Sequence, residues 1–412
     1  MSRLYYLGIQ IYFGLIFMAA PFNQKARLWI RGRKKLLKKI KSRIHPDDKT
    51  AWFHCASLGE FEQGRPLIEA FKEKYPDFKI LLTFYSPSGF EIRKNYQHAE
   101  YIFYLPLDTP RNAKKFLDQV NPKIIFFIKY EFWYFFLKEI AQRQIPLYLV
   151  SGIFRKEQRF FKSFNKKSRK MLGFFTHLFV QNNASKELLY SIGINNVTIT
   201  GDTRFDRVYT IAKQAKELPL IERFKENSKV FIAGSTWKPD EEIIGNYYHK
   251  HPEKFKLIVA PHEVASQNVE RIIKLFASQN NVIKYSEASI QNIHQAEVLI
   301  IDCIGLLSSL YQYGEIAYIG GGFGKGIHNI LEAATFGMPV IFGPNHEKFQ
   351  EAIDLIRLGG AVPVQNENDF EQVTNRIIDD KKLLKEKAEI ASGYVKQKTG
   401  ATQKILSSIE IH

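Results

Sequence analysis

The 412-residue chain predicts two α/β domains, each a doubly wound, mostly parallel sheet flanked by helices. Three observations carry this. Short apolar runs alternate with helical segments from Ala51 onward, and the alternation restarts at Lys229. A polar, strand-free stretch, Asp206 to Ser228, separates the two series. Finally, Glu315–Pro344, EIAYIGGGFGKGIHNILEAATFGMPVIFGP, reads as strand, glycine loop, helix, strand. The expected boundaries are 1–45 for an N-terminal helix with its basic segment, 46–206 for the first domain, 207–228 for a linker and 229–412 for the second domain. The last helix is free to pack back on the first domain.

Leu4 to Phe22 is 19 residues without a charge, just enough to reach across a hydrocarbon core of ~30 Å. Ten basic residues follow between Lys25 and Arg43, and no acid precedes Asp47. The pattern predicts a membrane-anchoring helix, either a single span or deeply interfacial. The positive charge behind it would keep the rest of the chain on the cytoplasmic face. The absence of a small-residue cleavage site argues against a removed signal peptide. The bland alternative is a core helix with a solvated basic face.

AWFHCA, KILLTF, YIFYL, IIFFI, PLYLV and LFV are the strands of the first domain. Ligands of such sheets lie at the carboxyl ends of strands. Glu60 follows AWFHCA, where it is either a general base or, at i, i+3 from Ser57, half of a capping box. Glu131 follows IIFFI, as a site carboxylate or a solvated glutamate at a helix start. Ser151–Lys170 holds eight basic residues and four phenylalanines, an edge suited to phosphorylated lipid. Arg204 follows VTIT; it either stabilises developing negative charge or pairs with Asp202 or Asp206.

KVFIAGS, KLIVA, NVIKY, EVLII, EIAYI, PVIF and AVPV are the strands of the second domain. Pro261 and His262 follow KLIVA; Asp302 and Gly305 follow EVLII. The glycine-dense turn Gly320–Gly326 precedes a helix expected over Asn329–Phe336. Glycines admit close ligand approach, and a helix start offers N–H groups to an anion. The spacing is neither GxGxxG nor a Walker loop, which excludes ordinary dinucleotide and P-loop sites. Asn329 and Glu332 at i, i+3 also suit a simple helix cap.

The formal net charge of +17 points to an anionic partner such as nucleic acid, anionic lipid or a phosphorylated substrate. The two cysteines, Cys55 and Cys303, form no disulfide framework, in keeping with a reducing compartment. No His, Asp or Glu pair has helical metal-ligand spacing, so no bound metal is expected. There is no GxSxG elbow for a serine triad.

RGRK, FHCASLGE, LLTFYSPSG, KYEFW, SGIFR, TGDTRFD, AGSTW, APHE, DCIGLL and GGGFGKGIHNILEAATFGMPVIFGPNHEKFQE occur in this order. Together they resemble the 3-deoxy-D-manno-octulosonic acid (Kdo) transferases of lipopolysaccharide synthesis, over nearly the whole chain. The resemblance implies a GT-B fold, two Rossmann-like domains facing a central cleft. It implies transfer of Kdo from CMP-Kdo to the phosphorylated lipid A precursor, lipid IVA, at the cytoplasmic face of the inner membrane. No cofactor, and no metal in the transfer step, is implied. Glu60 matches the general base, and Glu131 and Arg204 match positions assigned to transition-state stabilisation, where lysine is usual in place of Arg204. Asn329, Ile330, Leu331 and Glu332 match the segment that holds CMP; Pro261 with His262, and Ile304, Gly305 and Leu306, match two further CMP-contacting stretches. His262 stands where arginine is usual, Leu306 where glutamate is usual and Ile327 where glycine is usual.

Two other readings fit the same residues. One is a GT-B glycosyltransferase that uses a UDP-sugar and a lipid-linked acceptor. The other is a non-enzymatic basic protein that binds membrane or nucleic acid; the Kdo-transferase reading expects no nucleic acid.

Overall fold

The computed structural model describes residues 2–162, 166–277 and 281–411. The chain divides into two compact units, Met1–Arg207 with Thr399–His412, and Val208–Lys398. The helix Ala401–Ser408 thus belongs to the first unit, where Asp206 accepts the N–H groups of Gly400 and Thr402 at 2.5 and 2.7 Å. Ile405 and Leu406 of that helix are buried in the first unit's core.

The first unit holds seven parallel strands: β1 Thr50–Cys55, β2 Lys79–Phe84, β3 Tyr101–Tyr104, β4 Ile124–Ile128, β5 Leu147–Gly152, β6 His177–Val180 and β7 Val197–Ile199. Their order is β3-β2-β1-β4-β5-β6-β7. β1 is buried throughout, with Trp52 opposite Leu81 on one side and Ile125 on the other. Such near-continuous apolar runs are what a parallel sheet covered on both faces demands. The strand order reverses between β1 and β4, and the carboxyl ends of these two strands therefore flank the switch point where ligands bind.

Three helices precede the sheet: α1 Ser2–Ala19, α2 Gln24–Arg33 and α3 Leu36–Lys41. No described helix is long and apolar enough to cross a membrane. α1 is held to the first unit by its Tyr5 hydroxyl, which donates to Asp108 at 2.7 Å, and by Tyr12, which stacks on Tyr85 at 6.4 Å. Its other face stays in solvent: Leu4, Leu7, Ile11, Leu15, Phe17 and Met18 are exposed, as is Phe22 beyond it. Trp29, Leu36 and Ile40 of α2 and α3 enter the core. Arg33 lies half-buried beside them, its guanidinium 3.8 Å from the Trp29 ring and bonded to the carbonyls of Leu105, Trp29 and Tyr85.

The second unit repeats the plan: β8 Val230–Thr236, β9 Lys256–Pro261, β10 Val282–Lys284, β11 Val298–Ile300, β12 Ile316–Ile319, β13 Val340–Phe342 and β14 Ala361–Pro363. All are parallel, in the order β10-β11-β9-β8-β12-β13-β14. Here the order reverses between β8 and β12, so the segments after Thr236 and Ile319 flank the second switch point.

Candidate active site

At the first switch point, the chain leaves β1 and enters the helix α4, Leu58–Lys74. Ser57 is its extended N-cap, and its backbone N–H donates to Glu60 Oε2 at 3.1 Å. The capping bond of the bland reading is therefore present, and it aims the carboxylate rather than hiding it. Glu60 stays half-buried. Burial, and then the charge of Glu131, raise its pKa from 4.5 to about 7, against the pull of the Ala56 and Ser57 N–H groups and of Lys129.

Glu131 enters from β4 through a sharp turn in which Lys129 has φ +69°. That strained backbone is the kind found where a side chain must be aimed. Glu131 is buried, and its Oε2 faces His54 Nε2 at 3.1 Å and accepts the indole N–H of Trp133 at 2.5 Å. Trp133 is held in turn by Tyr85, stacked at 4.3 Å. Two carboxyl groups thus lie beside the β1 and β4 ends, Glu131 buried and bonded, Glu60 half-buried and reluctant to ionise.

Arg204 lies in the helix Thr203–Lys213. It pairs with Asp202, Nε to Oδ2 at 2.9 Å and Nη2 to Oδ2 at 2.8 Å. Asp206 is engaged by Gly400 and Thr402 instead, which explains the choice. Arg204 is close enough to Tyr130, as is Glu60, for both to act on its hydroxyl. The Ser151–Lys170 edge is basic but only partly aromatic, because Phe154 and Phe160 turn into the core; Phe164 lies outside the described residues.

In the second unit, Trp237 follows β8 and the glycine loop follows β12. The loop packs too closely for side chains: a Cβ on Gly320 would lie 2.3 Å from Ser235 O, and one on Gly322 2.6 Å from Gly343 Cα. Gly321 has φ +93°, and Asp240 accepts its N–H at 2.9 Å. A cavity of about 460 Å³ opens here, lined by Trp237, Pro239, Gly321, Gly324, Lys325, Gly326 and His328. His262 stacks on His328 at 4.2 Å and on Trp237 at 4.7 Å. The Trp237 indole N–H donates to His328 Nε2 at 3.0 Å, so the neutral His328 carries its proton on Nδ1. Burial, and then His262, hold its pKa down at about 4.

The helix expected over Asn329–Phe336 is only Leu331–Thr335. Asn329 Oδ1 accepts the Leu331 N–H at 3.2 Å, a local bond that starts the helix late. Asn329 Nδ2 also donates to Glu332 Oε1 at 3.0 Å, and Glu332 Oε2 accepts the Ser308 hydroxyl at 2.6 Å. Five residues leave little macrodipole for an anion. Ile330 and Leu331 are fully buried, backbone included, so neither presents a surface to a ligand here. Pro261 closes β9 beside His262, whereas Ile304 is 88% exposed on an open loop, where Gly305 has φ +99° and Leu306 precedes a short helix. Sequence reasoning missed Trp237 and His328 as cavity walls. The signal was an aromatic residue directly after the AGST strand end.

These two switch-point sheets are the GT-B glycosyltransferase architecture. The described residues superpose on a glycosyltransferase from Rickettsia africae with a TM-score of 0.56 and 15% identity, over 88% of this chain and 97% of that one. A UDP-GlcNAc 2-epimerase from Neisseria meningitidis shares the fold at a TM-score of 0.62 and 16% identity, over 87% of this chain and 98% of that one. The family signature described as 3-deoxy-D-manno-octulosonic-acid transferase (kdotransferase) matches residues 30–207. A 3-deoxy-D-manno-octulosonic acid transferase from Haemophilus influenzae is 26% identical over 89% of this chain and 87% of its own length. Those from Aquifex aeolicus and Rickettsia bellii are 27% and 29% identical, over 81% and 84% of this chain and 87% and 84% of their own lengths. Over most of its length the chain is thus similar to the Kdo transferases.

Proposed function

We propose that the protein transfers Kdo from CMP-Kdo to the phosphorylated lipid A precursor, with inversion and without a metal in the transfer step. The observation that carries this reading is the Glu60 carboxyl, half-open at the β1 end with its pKa raised to about 7 beside buried Glu131. A base of that strength is matched to taking a sugar hydroxyl proton near neutral pH.

In the reaction, Glu60 takes the proton of an acceptor hydroxyl. The freed oxygen bonds to the anomeric carbon of Kdo as the bond from that carbon to the CMP phosphate oxygen breaks. Backbone N–H groups of the glycine loop offset the charge that grows on the phosphate, an interaction worth most in the transition state; the resemblance assigns transition-state stabilisation to Arg204 and Glu131 as well. Trp237 and His328 wall the donor pocket, with His262 stacked on both. The resemblance assigns CMP contacts to Pro261, to Ile304–Leu306 and to Asn329–Glu332 besides.

The acceptor is an anionic glycolipid, so the protein must work at a membrane. The exposed apolar face of α1 and the ten basic residues of 25–43 support interfacial docking on the cytoplasmic face of the inner membrane. The test is incubation with CMP-Kdo and lipid IVA, with products followed by mass spectrometry. Thermal shifts with CMP and UDP test the donor nucleotide, because a ligand that binds the folded state raises Tm. A shift with UDP and none with CMP would replace this reading by a UDP-sugar enzyme.

A further inference from the structure

His54 is completely buried in β1, yet it reaches the candidate active site through one atom. Its Nε2 stands 3.1 Å from Glu131 Oε2. Its Nδ1 stands 2.8 Å from Thr83 Oγ1 and 3.2 Å from Thr83 O. Thr83 is itself held by the Trp52 indole N–H at 2.7 Å. The ring is wedged against Phe127, edge-on at 5.2 Å, so its rotation is fixed. The Trp133 indole N–H lies 3.2 Å from the same His54 Nε2 and 2.5 Å from Glu131 Oε2, so His54, Glu131 and Trp133 form one closed cluster.

We propose that His54 is a positioning residue: held by Thr83, it keeps the Glu131 carboxyl turned toward Glu60, and thereby sets how tightly Glu60 holds its proton. The other groups that face Glu60 are Lys129 on the same turn, the Cys55 thiol and Tyr130. Arg155, Arg204 and Asp202 act on Tyr130 from further out. Lys129 draws the Glu60 proton off, burial and Glu131 hold it on, and the net result is retention. Without the His54 contact, the Glu131 carboxyl is free to turn away, its repulsion on Glu60 falls, and Glu60 ionises at lower pH. The role of Glu60 as base is the reading given above; its link to His54 is tested without substrate.

The experiment is a ¹³C-carboxyl NMR titration of glutamate-labelled protein, with the Glu60 resonance identified by its loss in Glu60→Gln. Wild type, Glu131→Gln, His54→Gln, His54→Asn and His54→Leu are compared, with far-UV circular dichroism as the fold control. Glu131→Gln is expected to lower the Glu60 midpoint by about one pH unit or more. His54→Leu should follow it. His54→Asn, too short to reach Glu131, should do the same if the leucine variant does not fold. His54→Gln, which keeps an N–H donor at that reach, should restore the wild-type midpoint. A Glu60 midpoint unmoved in both His54→Leu and His54→Asn, while Glu131→Gln moves it, overturns the proposal. So does a midpoint unmoved in all variants. Failure of Kdo transfer by wild type with the titration behaving as expected would overturn the functional reading and leave the His54 link standing.

Discussion

The Ser57 backbone N–H donates to Glu60 Oε2 at 3.1 Å, so the capping box of α4 holds the carboxyl proposed as the base. Glu60→Gln retains a carbonyl oxygen for that bond and should fold. Its transfer rate should fall by about 10²–10⁴-fold, the usual contribution of a general base. Retained activity would remove Glu60 from the mechanism.

The same group makes activity and stability run in opposite directions with pH. Because its folded pKa of about 7 lies above the ordinary 4.5, the folded chain holds this proton longer than the unfolded one. Its contribution to stability is complete below 4.5 and is lost as pH rises through about 7. The transfer rate should rise over that same window. Glu60→Gln should therefore have a higher Tm than wild type at pH 8, and the difference should close toward pH 4, read by calorimetry across that range.

Gly321→Ala tests the donor pocket. The added Cβ would lie 2.5 Å from Gly326 O at a residue with φ +93°. Overpacking of this kind costs about 1–3 kcal/mol. The Tm shift produced by CMP should vanish, because the loop can no longer close on the ligand. An undiminished shift would place CMP elsewhere.

Arg33 predicts a purely structural effect. Its guanidinium is buried among Trp29, Tyr85 and Tyr104, and burial lowers its pKa to about 10. Arg33→Met leaves the bonded carbonyls of Leu105, Trp29 and Tyr85 without this donor, and each buried orphan costs about 1–3 kcal/mol. Denaturant melts should show the loss, with CMP binding unaffected.

Leu15 and Phe17 on α1 are 56% and 62% exposed, and neither packs into the core. Leu15→Asp with Phe17→Asp should leave Tm unchanged and abolish sedimentation with anionic vesicles, since each large apolar side chain inserted is worth about 1.5–3 kcal/mol. Unchanged vesicle binding would remove α1 from the membrane contact.

The fold was legible because β1, β4, β8 and β12 are buried on both faces and so are written as unbroken apolar runs such as TAWFHC and IAYI. Glu60, Glu131 and the glycine loop were legible because they stand directly after those runs. The His54–Glu131 contact was not: 77 residues separate the pair, and only the pairing of β1 with β4 brings them together. The late start of the Leu331–Thr335 helix was hidden by an Asn329 side chain that bonds its own turn. Trp237 and His328 stand on different strand ends, and only the β8–β12 pairing joins them.

The most direct test of the central claim is the product mass from CMP-Kdo and lipid IVA, with wild type and Glu60→Gln run side by side. Wild type should add the mass of one or more Kdo residues, and Glu60→Gln almost none. Unmodified lipid with active-folded wild type, or equal product from both proteins, would contradict that claim.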